Sequence, residues 1–410
     1  MRKSFSKRQW LLTLLLCLIP TVALAADEAA GEPFLQQLDA AFGQVVKVIF
    51  DVLFFSVGGF PLIVIWLIAG AIFFTVRMGF VNFRMFGHAI DIVRGKHDDP
   101  NAPGEVSHFQ ALATALSATV GLGNIGGVAL AIALGGPGAI FWMWVVGLVG
   151  MAIKITEVTL SMLYRNTDDP DNPHGGPMWV ISKGLPKINP SLASLGKGIG
   201  VVFCLTLLVS TETGGNMFQA WNVGTITESY FGVPSYITGI ILAIIVGAVI
   251  IGGIKRIGKV AGTLVPFMVA LYLIAGTFVL IVNYEQIPAM FALIITGAFA
   301  PQEATGAFIG GTVAYGFLIG MKRALFSNEA GQGSSPIAHS AAKTDEPGRE
   351  GIVAGLEPFI DTIVVCTFTA LIILSTGVWN RDAATTLDVE PFVAKTADGT
   401  WQFEDSSLSL

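Results

Sequence analysis

Charge is what this sequence most lacks. Asp, Glu, Lys and Arg make up 13% of its 410 residues, against about 25% in an ordinary soluble domain. A soluble chain of this length could not cover its surface with so few charges, so that class is excluded. Cysteine is scarcer still: Cys17, Cys204 and Cys366 each lie inside an apolar run, with no metal-type or redox-type spacing. They exclude a disulfide framework and read as small buried hydrophobes. The five histidines are scattered, and only His108 approaches an apolar segment. With no His-Glu-x-x-His and no Gly-x-Ser-x-Gly, an intramembrane hydrolase lacks its metal site and its nucleophile. No enzyme activity, cofactor or nucleic-acid partner is expected.

Two motifs resemble nucleotide sites and fail on context. Gly121-Leu-Gly123-Asn-Ile-Gly126 matches the dinucleotide fingerprint, but sits inside an apolar segment with no strand before it. Gly253 to Lys259 resembles a phosphate-binding loop, but Val260 replaces the required Ser or Thr, and the stretch joins two apolar segments.

What the chain has is apolar length: 53% of its residues are hydrophobic. Arg2, Lys3, Lys7 and Arg8 precede the apolar run Trp10 to Ile19, and Ala23-Leu24-Ala25 follows. This is the order of a secretory signal peptide over 1–25, with an uncleaved first span as the alternative. Residues 26–59 look amphipathic and are placed in the periplasm or the interface. Eight segments are then long and apolar enough to span: Phe60–Phe80, Phe109–Leu134, Pro137–Tyr164, Gly198–Gln219, Tyr236–Gly253, Val260–Val282, Thr305–Leu325 and Ile352–Val378. Lys and Arg alternate between their connections. Arg84, Arg94 and Lys96, then Arg165, Lys183 and Lys187, then Lys255, Arg256 and Lys259, then Lys322, Arg323, Lys343 and Arg349 mark the cytoplasmic side. Gly135–Gly136, Trp221–Ser235 and Tyr284–Ala304 carry none. The polar tail 379–410 is thereby periplasmic, with Arg381 and Lys395 as mild exceptions. The expected location is a bacterial inner membrane.

The chemistry is expected where glycines gather at mid-membrane depth. Thr119-Val-Gly121-Leu-Gly123-Asn124-Ile-Gly126-Gly127 begins about ten residues into its helix, close to the bilayer midplane at about 1.5 Å per residue. Unwound backbone at that depth is tolerated where it lines a cavity; its freed carbonyls bind cations, and the following half-helix N-terminus holds a carboxylate. Close packing of small residues is the alternative, and the polar amide of Asn124 weighs against it. Gly306, Gly310, Gly311, Thr312, Gly316 and Gly320 interrupt a second helix of opposite direction. Two such broken helices in corresponding halves point to a transporter. Asp361 lies about ten residues into its own helix, where an acid defaults to an ion pathway.

Several motifs then fall in the order of a known family: Thr119–Gly127 with Gly135-Gly136-Pro137-Gly138-Ala139, Gly175-Gly176-Pro177, Phe326-Ser-Asn-Glu-Ala-Gly331, and Phe359-Ile-Asp-Thr362 with Cys366-Thr367. From about Phe60 to Gly377 the chain resembles the sodium:alanine (alanine or glycine:cation) symporter family. The resemblance implies an all-α polytopic membrane protein of the leucine-transporter fold, an inverted repeat with one extra N-terminal helix over 60–80. The first five-helix repeat occupies 109–283, and 305–378 supplies two helices of the second. That repeat is incomplete, and the last three core helices are expected to be lacking. The implied function is alternating-access symport of Na⁺ with a small neutral amino acid, alanine or glycine. A proton-coupled carrier and a non-transporting fragment are the rivals.

On this mapping the substrate is expected at Gly121, Gly123, Asn124, Gly126, Gly127, Gln219, Thr312 and Gly316. Na⁺ is expected at the Thr119 carbonyl, Asn124, Asp361 and Thr362. Lys154 and Glu157, one turn apart, are expected to snorkel and pair. Glu212 gates entry or faces a solvated vestibule. Asn328 and Glu329 read as an inner-gate or loop-ordering cluster, and Trp142 and Trp144 as packing residues.

Overall fold

The computed structural model describes residues 43, 46–48, 50–51, 54–57, 60–299, 313–380, 393–395 and 401–403. The signal segment, Thr312, most of the 26–59 segment and most of the tail lie outside the described residues. The chain divides into two compact units, Met1–Trp66 and Leu67–Leu410. In the first, β1 (Ser56–Val57) pairs antiparallel with β2 (Phe60–Pro61), setting Ser56 opposite Pro61, and α1 (Leu62–Arg77) begins directly after it.

Among its described residues the second unit is helical apart from two isolated bridges and one short hairpin, β3 (Val393–Lys395) with β4 (Trp401–Phe403). Its helices are α2 (Val81–Arg84), α3 (Phe86–Val93), α4 (His108–Thr119), α5 (Leu122–Gly135), α6 (Gly138–Tyr164) and α7 (Pro177–Ile188). There follow α8 (Pro190–Phe231), α9 (Ser235–Ile250), α10 (Gly253–Val282), α11 (Ile287–Phe299), α12 (Val313–Asn328), α13 (Ser335–His339) and α14 (Pro347–Ser375).

Among the described residues α6, α8, α10 and α14 are each long and apolar enough to cross a membrane, and α4 with α5 make a fifth candidate, bent by 43°. Burial sorts them. The most apolar window of α6 is 67% buried and that of α14 56%, whereas those of α8 and α10 are 11% buried. α6 and α14 are therefore the central posts, and α5, α11 and α12 pack on α6. α8, α9 and α10 instead turn outward side chains such as Leu205, Ile244, Phe267 and Phe278. A surface of that kind suits hydrocarbon and not water.

Two connections differ from the sequence reading. The Tyr284–Ala304 connection contains α11, which packs on α6; its 13 residues fall short of a span, so hydropathy alone left it between spans. The helix placed at Gly198–Gln219 runs without interruption from Pro190 to Phe231 and stops only at Gly232, whose φ of 67° is left-handed. Asn222, Thr225 and Thr227, in the stretch placed between two spans, donate to the carbonyls of Phe218, Trp221 and Val223 at 2.8, 3.0 and 2.6 Å. Polar side chains satisfied by their own helix do not end it.

Candidate functional site

The break between α4 and α5 follows from its two local caps. Ser107 opens α4 with a capping box: its hydroxyl accepts from the Gln110 backbone N–H at 3.2 Å, and the Gln110 side-chain Oε1 accepts from the Ser107 N–H at 3.1 Å. The helix stops at Thr119, because Val120 (ψ 99°) and Gly121 are extended. α5 then restarts under Asn124, whose Oδ1 accepts from the Gly121 N–H at 2.7 Å. The unwound turn is thus Val120–Gly121, inside the glycine-rich stretch.

Asn124 turns its other face to α14. Its Nδ2 donates to Asp361 Oδ1 at 2.5 Å and lies 3.2 Å from the Asp361 carbonyl, 3.2 Å from Ser327 Oγ and 3.4 Å from Cys366 Sγ. Thr362 Oγ1 donates to Asp361 Oδ2 at 2.9 Å, and Asn328 Nδ2 donates to Thr362 Oγ1 at 3.1 Å. Asp361, Thr362 and Asn328 are 0% exposed, and Asn124, Ser327 and Cys366 1%. Asp361 to Cys366 lie in a π-helical stretch, Phe359–Cys366. Such bulges leave backbone groups out of the regular ladder and recur at functional sites. Among the described residues no basic side chain forms an ion pair with Asp361. A carboxylate this deeply buried is held only by neutral donors and has room in its chemistry for a cation.

A cavity of about 590 Å³ opens on the broken turn, lined by Ser117 to Gly121, Gly123, Ser210, Thr211, Gly214 to Asn216, Gln219, Phe326, Glu329, Gln332 and Ser334. Its size falls in the range of roughly 300–1,000 Å³ for small-molecule pockets. The wall from α8 is a second π-helical stretch, Thr211–Met217, which contains Glu212. Gln219 Oε1 stands 4.0 Å from where a side chain on Gly121 would begin. A second cavity of about 770 Å³ shares Gly214 and Phe326 with the first and is lined by Gly126, Gly127 and Arg323. The expected substrate glycines therefore divide, Gly121 and Gly123 at one cavity and Gly126 and Gly127 at the other. Gly316 lines neither: a Cβ there would sit 2.9 Å from the Gly135 carbonyl, in the close contact of α12 with α5. Thr312 is outside the described residues.

Ser327 was not singled out from the sequence, and Cys366, read as an apolar filler, touches both Asn124 and Ser327. Asn328 belongs to the Asp361 cluster, and Glu329 accepts from Ser334 Oγ at 2.5 Å in ordering the loop behind it. Lys154 corrects an expectation: it does not snorkel. It is 0% exposed, with Nζ 3.5 Å from Glu157 and 3.2 Å from Glu357, because α13 and α14 cover this part of α6. The histidines are not all scattered either, since His108 and His339 meet at Glu350. Trp142 and Trp144 are packing residues, as expected, and Trp144 also donates to Thr367 at 2.6 Å.

A model of the sodium:alanine symporter family matches residues 41–402. The chain is 46% identical over 317 residues to the sodium/alanine symporter AgcS of Methanococcus maripaludis, covering 77% of this chain and 68% of that one. It is 39% identical over 308 residues to the amino-acid carrier protein AlsT of Bacillus subtilis, covering 75% and 63%. It is 34% identical over 340 residues to the probable sodium/glutamine symporter GlnT of the same organism, covering 83% and 68%. A multi-pass membrane transporter of the cation-coupled amino-acid symport type and not an enzyme, the chain belongs to the sodium:alanine symporter family.

Proposed function

We propose that the chain couples Na⁺ entry to uptake of a small neutral amino acid, alanine or glycine, by alternating access around the Val120–Gly121 break in a bacterial inner membrane. The observation that carries this reading is the fully buried Asp361, held by Asn124 and Thr362 and paired with no basic residue among those described. An isolated buried carboxylate is expensive, and a bound cation relieves that cost. Asp361, Thr362 Oγ1 and the Thr119 carbonyl supply hard oxygen donors of the kind Na⁺ takes.

Asn124 then links ion to substrate. Its Oδ1 occupies the Gly121 N–H at the head of α5, which is where a substrate carboxylate would dock. A carboxylate arriving there displaces Oδ1, and the freed amide oxygen turns to the cation at Asp361. Each ligand thereby favours the other, and the coupling is reciprocal. Among the described residues no Lys, Arg or His lines the 590 Å³ cavity, so none of them there neutralises a second carboxylate; this favours neutral amino acids over acidic ones.

The test is uptake of labelled alanine into proteoliposomes under an inward Na⁺ gradient, with choline, Li⁺ or a proton gradient in its place. Uptake that needs Na⁺ and is competed by glycine supports the reading. Uptake driven equally by a proton gradient without Na⁺ replaces it with a proton-coupled carrier.

A further inference from the structure

Beside the Asp361 cluster runs a line of ionisable side chains that substrate binding does not use. His108 Nδ1 on α4 meets one oxygen of Glu350, and His339 Nδ1 on α13 meets the other. His339 Nε2 lies 2.7 Å from Glu357 Oε1, which also accepts from Ser335 Oγ at 2.6 Å. The other Glu357 oxygen faces Lys154 Nζ on α6 at 3.2 Å. Lys154, His339, Glu350 and Glu357 are 0% exposed, so bulk solvent does not screen their charge.

The geometry of His339 constrains its chemistry. Both ring nitrogens face carboxylate oxygens, and a neutral imidazole has a single N–H. One nitrogen would then confront a carboxylate lone pair to lone pair, unless a proton lies between. Charge points the same way: Glu350 and Glu357 both meet His339, the ammonium among the described residues that meets either of them is Lys154 on Glu357, and a proton on the His339 imidazole supplies the balance. The carboxylates bridge nitrogen to nitrogen and share no common centre, and no such group among the described residues is arranged to hold a metal ion.

We propose that His339, between Glu350 and Glu357, is a proton-binding site separate from the Asn124–Asp361 site, and that its proton locks α13 against α4, α6 and α14. The lock has a neighbouring strap. Arg165, at the end of α6, donates to the carbonyls of Ser340 and Ala342 at 2.9 Å each, and to Thr344; Ala342 bridges to Val106 just ahead of α4. Removal of the proton sets two buried carboxylates against each other around a neutral ring. Glu357 is one helical turn before Asp361, so loosening there reaches the ion-binding helix. The groups that meet His339 are Glu350 and Glu357 on α14; behind them His108 on α4 meets Glu350, Lys154 on α6 meets Glu357 and Glu157, and Arg165 interacts with Glu350 and Asp345. Burial alone would lower the His339 pKa, but the bonds to Glu350 and Glu357 outweigh it and raise it to about 9.

The test is thermal unfolding of the purified full chain in detergent between pH 6 and pH 10. A folded-state value of about 9 lies above the roughly 6.5 of an unfolded histidine. The stabilisation is therefore complete below about pH 6.5 and lost as pH rises through about 9. The wild-type melting temperature should fall across that window, and His339→Gln should melt lower at pH 6 with the fall removed. An unchanged fall in His339→Gln overturns the proposal. Should that variant not fold, ¹⁵N spectra of labelled histidine in the wild-type chain decide. At pH 8, one unit below that value, the His339 imidazolium should outnumber the neutral ring about tenfold; a neutral tautomer overturns the assignment.

Discussion

Asn124 Nδ2 lies 2.5 Å from Asp361 Oδ1, joining two residues 237 positions apart in sequence. One side chain caps the half-helix after the break and also holds the buried acid of α14. If that relationship couples ion to substrate, the two ends separate by mutation. Asp361→Asn should weaken Na⁺ activation more than alanine binding at saturating Na⁺, and Asn124→Ala should weaken both. A hydrogen bond to a charged group is worth about 1.5–3 kcal/mol, so the apparent Na⁺ affinity should fall roughly tenfold to a hundredfold. Na⁺ titrations of alanine uptake or binding check this.

Lys154 carries a prediction about stability. Lys154→Met leaves Glu357 and Glu157 buried without their ammonium, a change that costs about 3–5 kcal/mol when a buried pair is broken on one side. The double variant Lys154→Met with Glu157→Met should unfold at a higher temperature than Lys154→Met alone, because Glu157 is then no longer an orphaned charge while Glu357 keeps His339 and Ser335. Thermal unfolding of the variants in detergent measures the coupling.

Much of this site was legible in the sequence, and the reasons differ by residue. The break at Val120–Gly121 followed from glycines at midplane depth, and Asp361 from the cost of an acid at that depth. Glu350, Glu357 and Asp361 also carried a signal that went unread: steps of seven and four put all three on one face of a helix. Lys154 looked like an interfacial residue because its cover, α13 and α14, is distant in sequence. Ser327 and Cys366 stood inside the family motifs, but their contacts with Asn124 were not legible, since these depend on which helices meet. The bounds of α8 were drawn short because its apolar run ends near Gln219, whereas the helix continues to Phe231 through polar side chains that bond to its own carbonyls.

The contact of α6 with α11 is tight enough to test directly. A Cβ on Gly138 would sit 2.2 Å from the carbonyl carbon of Gly297, and backbone cannot move aside as a flexible side chain does. Gly138→Ala should therefore destabilise the fold by about 1–3 kcal/mol, the usual cost of overpacking, and lower the yield of monodisperse protein on size-exclusion chromatography. Gly127→Ala, where a Cβ meets nothing within 4 Å, should leave that yield unchanged.

The most direct test of the central claim is equilibrium binding of labelled alanine at a series of Na⁺ concentrations, paired with Na⁺ binding at a series of alanine concentrations. If Asn124 passes between Gly121 and the cation, Na⁺ tightens alanine binding by some factor, alanine tightens Na⁺ binding by the same factor, and Asn124→Ala brings both to unity. Alanine affinity that does not change with Na⁺ in the wild-type chain would contradict the account.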